Sequence, residues 1–156
     1  KRTFERKGIP LFLYLAEQLP DFKFTLAGMN YQFKINSIPR NIKILGKQNC
    51  QQLKSLYGVN KYYFQGSKIE GLPNVLCEAM LCECIPLGNK VFGIPNAIGD
   101  TGIIFEGFSN IQKVIDFLKD DKIKHGLKAR ERIIKKFSKN RREAQFKRVL
   151  KQYIYG

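Results

Sequence analysis

No apolar run in this chain approaches the roughly 20 residues needed to span a bilayer, and its start, Lys1-Arg-Thr-Phe-Glu-Arg-Lys-Gly8, is too charged for a signal peptide. Collagen-like periods, low-complexity tracts, internal repeats and linkers are missing too, which excludes fibrous and tethered multi-domain organisations. Histidine occurs once, as His125, in a charged stretch that reads as helix surface, so it is assigned no role. The four cysteines, Cys50, Cys77, Cys82 and Cys84, have neither the paired spacing of a zinc ribbon nor the dispersed spacing of a disulfide framework. They read as reduced thiols of a cytosolic protein, with Cys77 and Cys82 as small packing residues. Cys82 and Cys84, with no histidine nearby, make a poor metal site. Acidic residues are scarce, 13 against 28 Lys and Arg, for a formal charge of +15. Such a surplus attracts polyanions, whether phosphate esters, nucleic acid or an anionic membrane surface.

What is present is a chain of 156 residues, 44% hydrophobic and 12% aromatic, enough to bury one core and too apolar for disorder. We expect a single domain over 1–156. Stretches of two periodicities alternate along it, which predicts an α/β layered fold. Pro10–Leu19 is an apolar helix stopped by Pro20, Phe22–Ala27 a strand ending at Gly28, and a polar loop runs on to Asn41. Ile42–Leu45 with Gly46 repeats the strand-then-glycine shape. Gln51–Tyr57 reads as a helix closed by Gly58, Tyr62–Gln65 as a strand, and Leu72–Cys84 as a helix with Pro73 at its first position. Ile85–Leu87 and Gly102–Phe105 are short strands. Three helices follow, at Asn110–Lys119, Asp121–Phe137 and Lys139–Tyr153, and this helical tail carries half of the 28 basic residues between Lys119 and Lys151. Strands joined by helical crossovers lie parallel in a doubly wound, Rossmann-like sheet, with helices on both faces and the ligand crevice at the carboxyl ends of the strands.

The segment Ser67-Lys-Ile-Glu70-Gly-Leu-Pro-Asn-Val-Leu-Cys-Glu78 carries the chemistry. Glu70 sits in a loop just past a strand, Gly71 lets backbone approach a ligand, and Pro73 opens a helix whose first free N–H groups belong to Asn74, Val75 and Leu76. Such a helix start is an anion site, since orphan donors and the helix dipole converge there, and a diphosphate would fit. Glu78, about one turn further along, could accept two hydrogen bonds from the neighbouring hydroxyls of a ribose. The plain alternative is that each glutamate is a surface charge.

Ser67–Met80 resembles the Glu, seven residues, Glu motif of the retaining glycosyltransferases of GT-B fold, the large family with sucrose synthase-like and mannosyltransferase members. The resemblance implies the nucleotide-sugar-binding C-terminal domain of such an enzyme, with Glu70 beside the donor sugar, Gly71, Leu72, Pro73, Asn74 and Val75 around the donor, and Glu78 on the ribose. Arg2-Thr-Phe-Glu-Arg-Lys7 resembles the family's Arg and Lys pair, which implies that Arg2 and Lys7 neutralise the donor diphosphate. Asn41–Lys47 resembles the strand and turn that hold the base through backbone groups, implicating Gly46 and Lys47. Val91-Phe-Gly-Ile-Pro-Asn96 stands where a Gly-Gly-x-x-Glu pattern is usual, and here Phe92 and Asn96 depart from it.

The resemblance further implies a UDP-, GDP- or ADP-linked sugar as substrate and a role in glycan, polysaccharide or glycolipid biosynthesis. It implies neither cofactor nor metal. The family's first strand, which precedes the Arg matched by Arg2, and its N-terminal acceptor-binding domain are not represented, so the chain alone is expected to be an inactive half of a hexosyltransferase. A cytoplasmic location is expected, with the basic tail at the inner face of an anionic membrane. The alternative of a different class is a non-catalytic basic module that binds nucleic acid. GT-B-like epimerases and phosphorylases fit less well, the first by the Glu–Glu spacing, the second for want of a pyridoxal-binding marker.

Overall fold

The computed structural model describes residues 2–29, 38–120 and 126–155, without the side chains of Arg2 and Tyr155. In chain order the elements are α1 (Arg2–Arg6), α2 (Ile9–Gln18), β1 (Phe24–Ala27), β2 (Ile42–Leu45), α3 (Cys50–Val59), β3 (Tyr62–Gln65) and α4 (Asn74–Leu81). They continue with β4 (Ile85–Asn89), α5 (Ile94–Ile98), β5 (Ile103–Phe105), α6 (Gln112–Asp120), α7 (Leu127–Phe137) and α8 (Lys139–Tyr155). Every strand pairing is parallel, as expected, but among the described residues the strands form two sheets: β1 beside β2, and β3–β4–β5 with β4 in the middle.

Side chains of the larger sheet alternate between two cores, as the period of two along a strand requires. Tyr62 and Phe64 of β3, Leu87 of β4 and Ile103 and Phe105 of β5 pack with Leu11, Leu15 and Leu19 from the α2 side and Val114, Ile115 and Leu118 of α6. Tyr63 and Ile104 point the other way, against Leu76 and Met80 of α4, Ile94 and Ile98 of α5, and Ala129 and Ile133 of α7. Helices therefore cover both faces, and all of β4 is buried. The helical tail ends in α8, which packs on α7.

Several expected boundaries move, for local reasons. The segment around Arg2 was not expected to be helical, yet it forms α1. α3 starts at Cys50, because Asn49 accepts from the Gln52 amide and the Gln52 side chain accepts from the Asn49 amide, each at 2.9 Å. It runs through Gly58 rather than closing there, and Asn60 Nδ2 donates to Leu56 O at 2.7 Å at its end. Pro73 is the extended residue before α4, not its first helical position, and α4 stops at Leu81 because Glu83 takes a left-handed φ of 66°. α5 was not expected at all. The expected start of a helix at Asp121 lies outside the described residues, as does His125.

Two arginines of the basic tail bond to backbone carbonyls of the fold, Arg132 with a largely buried side chain and Arg130 while still exposed. Arg132 Nε donates to Ala97 O at 2.7 Å and its NH2 to Asn96 O at 2.9 Å, capping α5, while Arg130 NH1 donates to Leu81 O at the end of α4. Cysteine usage also shifts: Cys84 is the fully buried one, with its thiol 3.2 Å from Tyr57 O and Asn60 O, and burial pushes that thiol up to about 12.

Candidate functional site

The loop after β3 is locked against the turn between α1 and α2 by two glycines. Gly8 has φ 72°, and a Cβ there would meet Gly66 O at 2.0 Å, so only glycine allows the two backbones to touch. Lys68 N donates to Arg6 O at 2.8 Å beside this crossing. The result is that Lys7, distant in sequence, arrives at Glu70: its Nζ lies 2.6 Å from Glu70 Oε2, and Arg6 NH1 lies 3.9 Å from the same oxygen.

Glu70 is also held from below, by a line of polar side chains leading out of the buried strand. Tyr63 Oη donates to Gln65 Oε1 at 3.1 Å, Gln65 Nε2 to Ser67 Oγ at 2.8 Å, and Ser67 Oγ to Glu70 Oε2 at 3.4 Å. Gln65 and Ser67 are buried. The Lys7 hydrogen bond, opposed by partial burial and aided by Ser67 and Arg6, holds the Glu70 carboxyl below its ordinary 4.5. Glu70 is thus a carboxylate at neutral pH, able to accept hydrogen bonds from hydroxyls or to stabilise positive charge, and unable to act as a proton donor there. Desolvation pushes the Tyr63 phenol far up, so it stays a donor to Gln65.

Beyond Glu70 the chain turns through Gly71, Leu72 and Pro73 into α4. Gly71 O accepts from Gly93 N at 3.0 Å, which ties this turn to the segment ahead of α5. Leu76 N is already bonded to Pro73 O at 3.1 Å, so among the described residues the amides left open at the start of α4 are those of Asn74 and Val75, one fewer than expected. Glu78 lies exposed on α4 and accepts no hydrogen bond from a described residue. It faces Tyr57, whose phenol is pushed up to about 12 by burial and, secondarily, by the Glu78 charge.

Not every expected site residue joins this group. Arg2 starts α1, but its side chain lies outside the described residues. Gly46 and Lys47 sit at the carboxyl end of β2, in the other sheet, with no hydrogen bond or ion pair to Lys7 or Glu70. There Gly46 O accepts from Gly28 N at 3.1 Å and from Gln48 Nε2 at 3.0 Å, so this carbonyl is engaged within the fold. Phe92 keeps a left-handed φ of 44° and is 72% exposed, retaining a glycine-like backbone where the glycine is gone.

Reading the sequence missed Arg6, Gln65, Ser67 and Asn89. Asn89 Nδ2 donates to Ser67 O at 3.1 Å while its Oδ1 accepts from Gly107 N at 2.9 Å. The signal was available: Gln65 and Asn89 are polar residues ending otherwise apolar strands, and a buried amide must find partners.

With this geometry in view, the likenesses of the chain can be placed. The profile of the family described as Glycosyl transferases group 1 matches residues 1–140. Among solved structures, sucrose-phosphate synthase from Thermosynechococcus elongatus superposes with a TM-score of 0.78 at 17% identity, over 97% of this chain and 43% of that one. TarM superposes with a TM-score of 0.74 at 25% identity, over 91% of this chain and 32% of that one. No curated protein matches by sequence. The chain therefore spans less than half the length of these solved relatives. The α/β fold with parallel sheets covered on both sides is GT-B-like, and the match over most of its length shows that the chain belongs to the glycosyl transferases group 1 family.

Proposed function

We propose that this domain binds a nucleoside diphosphate sugar, linked to UDP, GDP or ADP, for retaining transfer of the sugar to an acceptor in glycan, polysaccharide or glycolipid synthesis. The reading is carried by one observation: Glu70, ionised and fixed by Lys7 and Ser67, immediately precedes the Gly71–Pro73 turn that opens α4. In this proposal Glu70 faces the donor sugar, accepting from its hydroxyls and stabilising the positive charge that builds at the anomeric carbon as the leaving group departs. Lys7 and Arg2, with the amides of Asn74 and Val75, take up the negative charge developing on the diphosphate. Two side-chain cations and a helix start supply that charge without a metal ion. Glu78, which accepts no hydrogen bond from a described residue, accepts from the two ribose hydroxyls, and Gly46 and Lys47 border the base. The whole reaction needs an acceptor-binding half from a longer enzyme, so these 156 residues alone give no turnover.

Calorimetry with UDP, GDP and ADP tests the reading. One nucleotide should bind, and Glu78→Ala and Lys7→Ala should each weaken it by about tenfold or more, the loss of a charge-assisted hydrogen bond. Absence of binding by all three would overturn the proposal. A preference for RNA or DNA that falls steeply with salt would replace it by the nucleic-acid reading, which otherwise rests on charge alone.

A cytoplasmic position at the inner face of an anionic membrane completes the proposal. α8 exposes Phe146, Val149, Leu150, Tyr153 and Ile154 at spacings of three and four, with Lys147, Arg148 and Lys151 among them. In flotation assays the chain should rise with vesicles rich in phosphatidylserine and stay behind with neutral ones; equal recovery would remove the membrane from the picture.

A further inference from the structure

The loop after β4 carries a large side chain that the fold does not use. β3 and β4 run parallel with Gln65 opposite Gly88, so the loops that leave them emerge side by side on one edge of the larger sheet. The loop after β3 holds Glu70, and the loop after β4 spans 90–93. Their backbones touch. Gly93 N donates to Gly71 O at 3.0 Å, and a Cβ on Gly93 would stand 2.7 Å from that oxygen, so the two turns are as close as glycine permits. Phe92 immediately precedes one partner of this contact, and Glu70 immediately precedes the other.

A single exposed apolar side chain is ordinary on a protein surface, but the backbone beneath Phe92 is not. Its φ of 44° lies in the left-handed region, where glycine is at ease and a bulky aromatic residue is strained. Hydrogen bonds on both sides impose that conformation. Lys90 N donates to Phe105 O at 2.7 Å, Val91 N to Asn89 O at 2.8 Å, and Ile94 N to Val91 O at 3.1 Å. Packing returns nothing for the strain, since Phe92 is exposed and belongs to none of the three apolar clusters among the described residues. Glycine would meet every demand of this backbone, so an aromatic residue there is held for what its ring meets from outside.

The surroundings select the class of ligand. Ile69 and Leu72, which flank Glu70 and Gly71 in the neighbouring loop, are exposed as well, so the ionised Glu70 stands among apolar side chains. A ligand suited to this setting presents hydroxyls to a carboxylate and a flat apolar face to a ring. A pyranose does both, with hydroxyls around its rim and C–H bonds gathered on its face. A phosphate or carboxylate has no such face, and an acyl chain offers Glu70 nothing.

We propose that Phe92 is a specificity-determining residue, its ring the platform for the C–H face of the donor pyranose while Glu70 accepts from the hydroxyls of the same sugar. The inference rests on the nucleotide-sugar reading of this site and adds to it a contact made by the sugar alone.

Calorimetry separates the two. The parent, Phe92→Gly, Phe92→Leu and Phe92→Tyr are each titrated with UDP, GDP and ADP, and with UDP-glucose, GDP-mannose and ADP-glucose. Phe92→Gly should bind the bare nucleotide as the parent does and the matching nucleotide sugar roughly fivefold more weakly, the scale of a lost aromatic contact. Phe92→Leu should show the same loss, and Phe92→Tyr should keep the parent's affinity. Because glycine relieves the left-handed φ, Phe92→Gly should melt no lower than the parent. An equal loss for nucleotide and nucleotide sugar, no loss for either, full affinity in Phe92→Leu, or a lower melting temperature in Phe92→Gly would each overturn the proposal and leave the nucleotide-sugar reading standing. Failure of the parent to bind any of the six ligands would instead remove that reading, and this inference with it.

Discussion

The two sheets of this domain are made of similar residues and covered very differently. β4 is buried along its whole length, whereas no residue of β1 or β2 is. Parallel sheets are stable when both faces and both neighbours are present, and β4 has these: β3 and β5 beside it, α2 and α6 on one face, α4, α5 and α7 on the other. Among the described residues β1 and β2 pair only with each other, and Phe24 of β1 packs on the edge of the larger core against Phe12. The comparison teaches that burial here follows from position in the sheet order, since Ile42-Lys-Ile-Leu45 is no less apolar than Ile85-Pro-Leu-Gly-Asn89.

The sharpest way to break that comparison is to remove equivalent apolar volume from each sheet. Leu87→Ala should cost about 2–5 kcal/mol, as for other fully buried aliphatic side chains, and Ile44→Ala only about 1 kcal/mol. Urea unfolding of the two variants measures the difference, and equal losses would show that the smaller sheet is as well packed as the larger.

A smaller effect probes the joint between α1 and the larger sheet. The folded-state carboxyl of Glu70 is held below its ordinary 4.5, so the Lys7–Glu70 pair contributes stability above that value, and the contribution disappears as pH falls through the lowered one. Both partners reach solvent, which limits the contribution to under about 1 kcal/mol. Glu70→Gln should therefore be slightly less stable than the parent at neutral pH and equal to it in acid. A difference that persisted in acid would mean that something other than the ion pair holds the joint.

Much of this fold was legible in the residues themselves. β2 and β3 fall where expected because Ile-Lys-Ile-Leu and Tyr-Tyr-Phe-Gln are strand-forming runs bounded by Asn and Gly. α1 was not legible, since Arg2–Arg6 holds a single apolar residue and the close Gly8–Gly66 approach that follows it joins segments far apart in sequence. The passage of α3 through Gly58 was hidden for a similar reason. A glycine costs a helix interior about 1 kcal/mol, and that cost is outweighed by the capping box at Asn49, the Asn60 cap and the burial of Tyr57. At the site, Glu70 and Glu78 could be picked out by spacing, and Lys7 by resemblance. Which of them touch could not be read, because the contact of Lys7 with Glu70 spans 63 positions and is set by a backbone crossing.

Asn89 adds a mechanical property to this arrangement. Sitting at the end of the central strand, its amide reaches the backbone of the loop after β3 with one arm and that of the loop after β5 with the other. A strut of this kind removes the freedom of either loop to move alone. The β5 end of the rim is linked to Ser67, and Ser67 to the carboxylate of Glu70, through two bonds of a single side chain and one hydroxyl. The edge of the crevice is thus tied together by hydrogen bonds that run from Gly107 through Asn89 and Ser67 to Glu70.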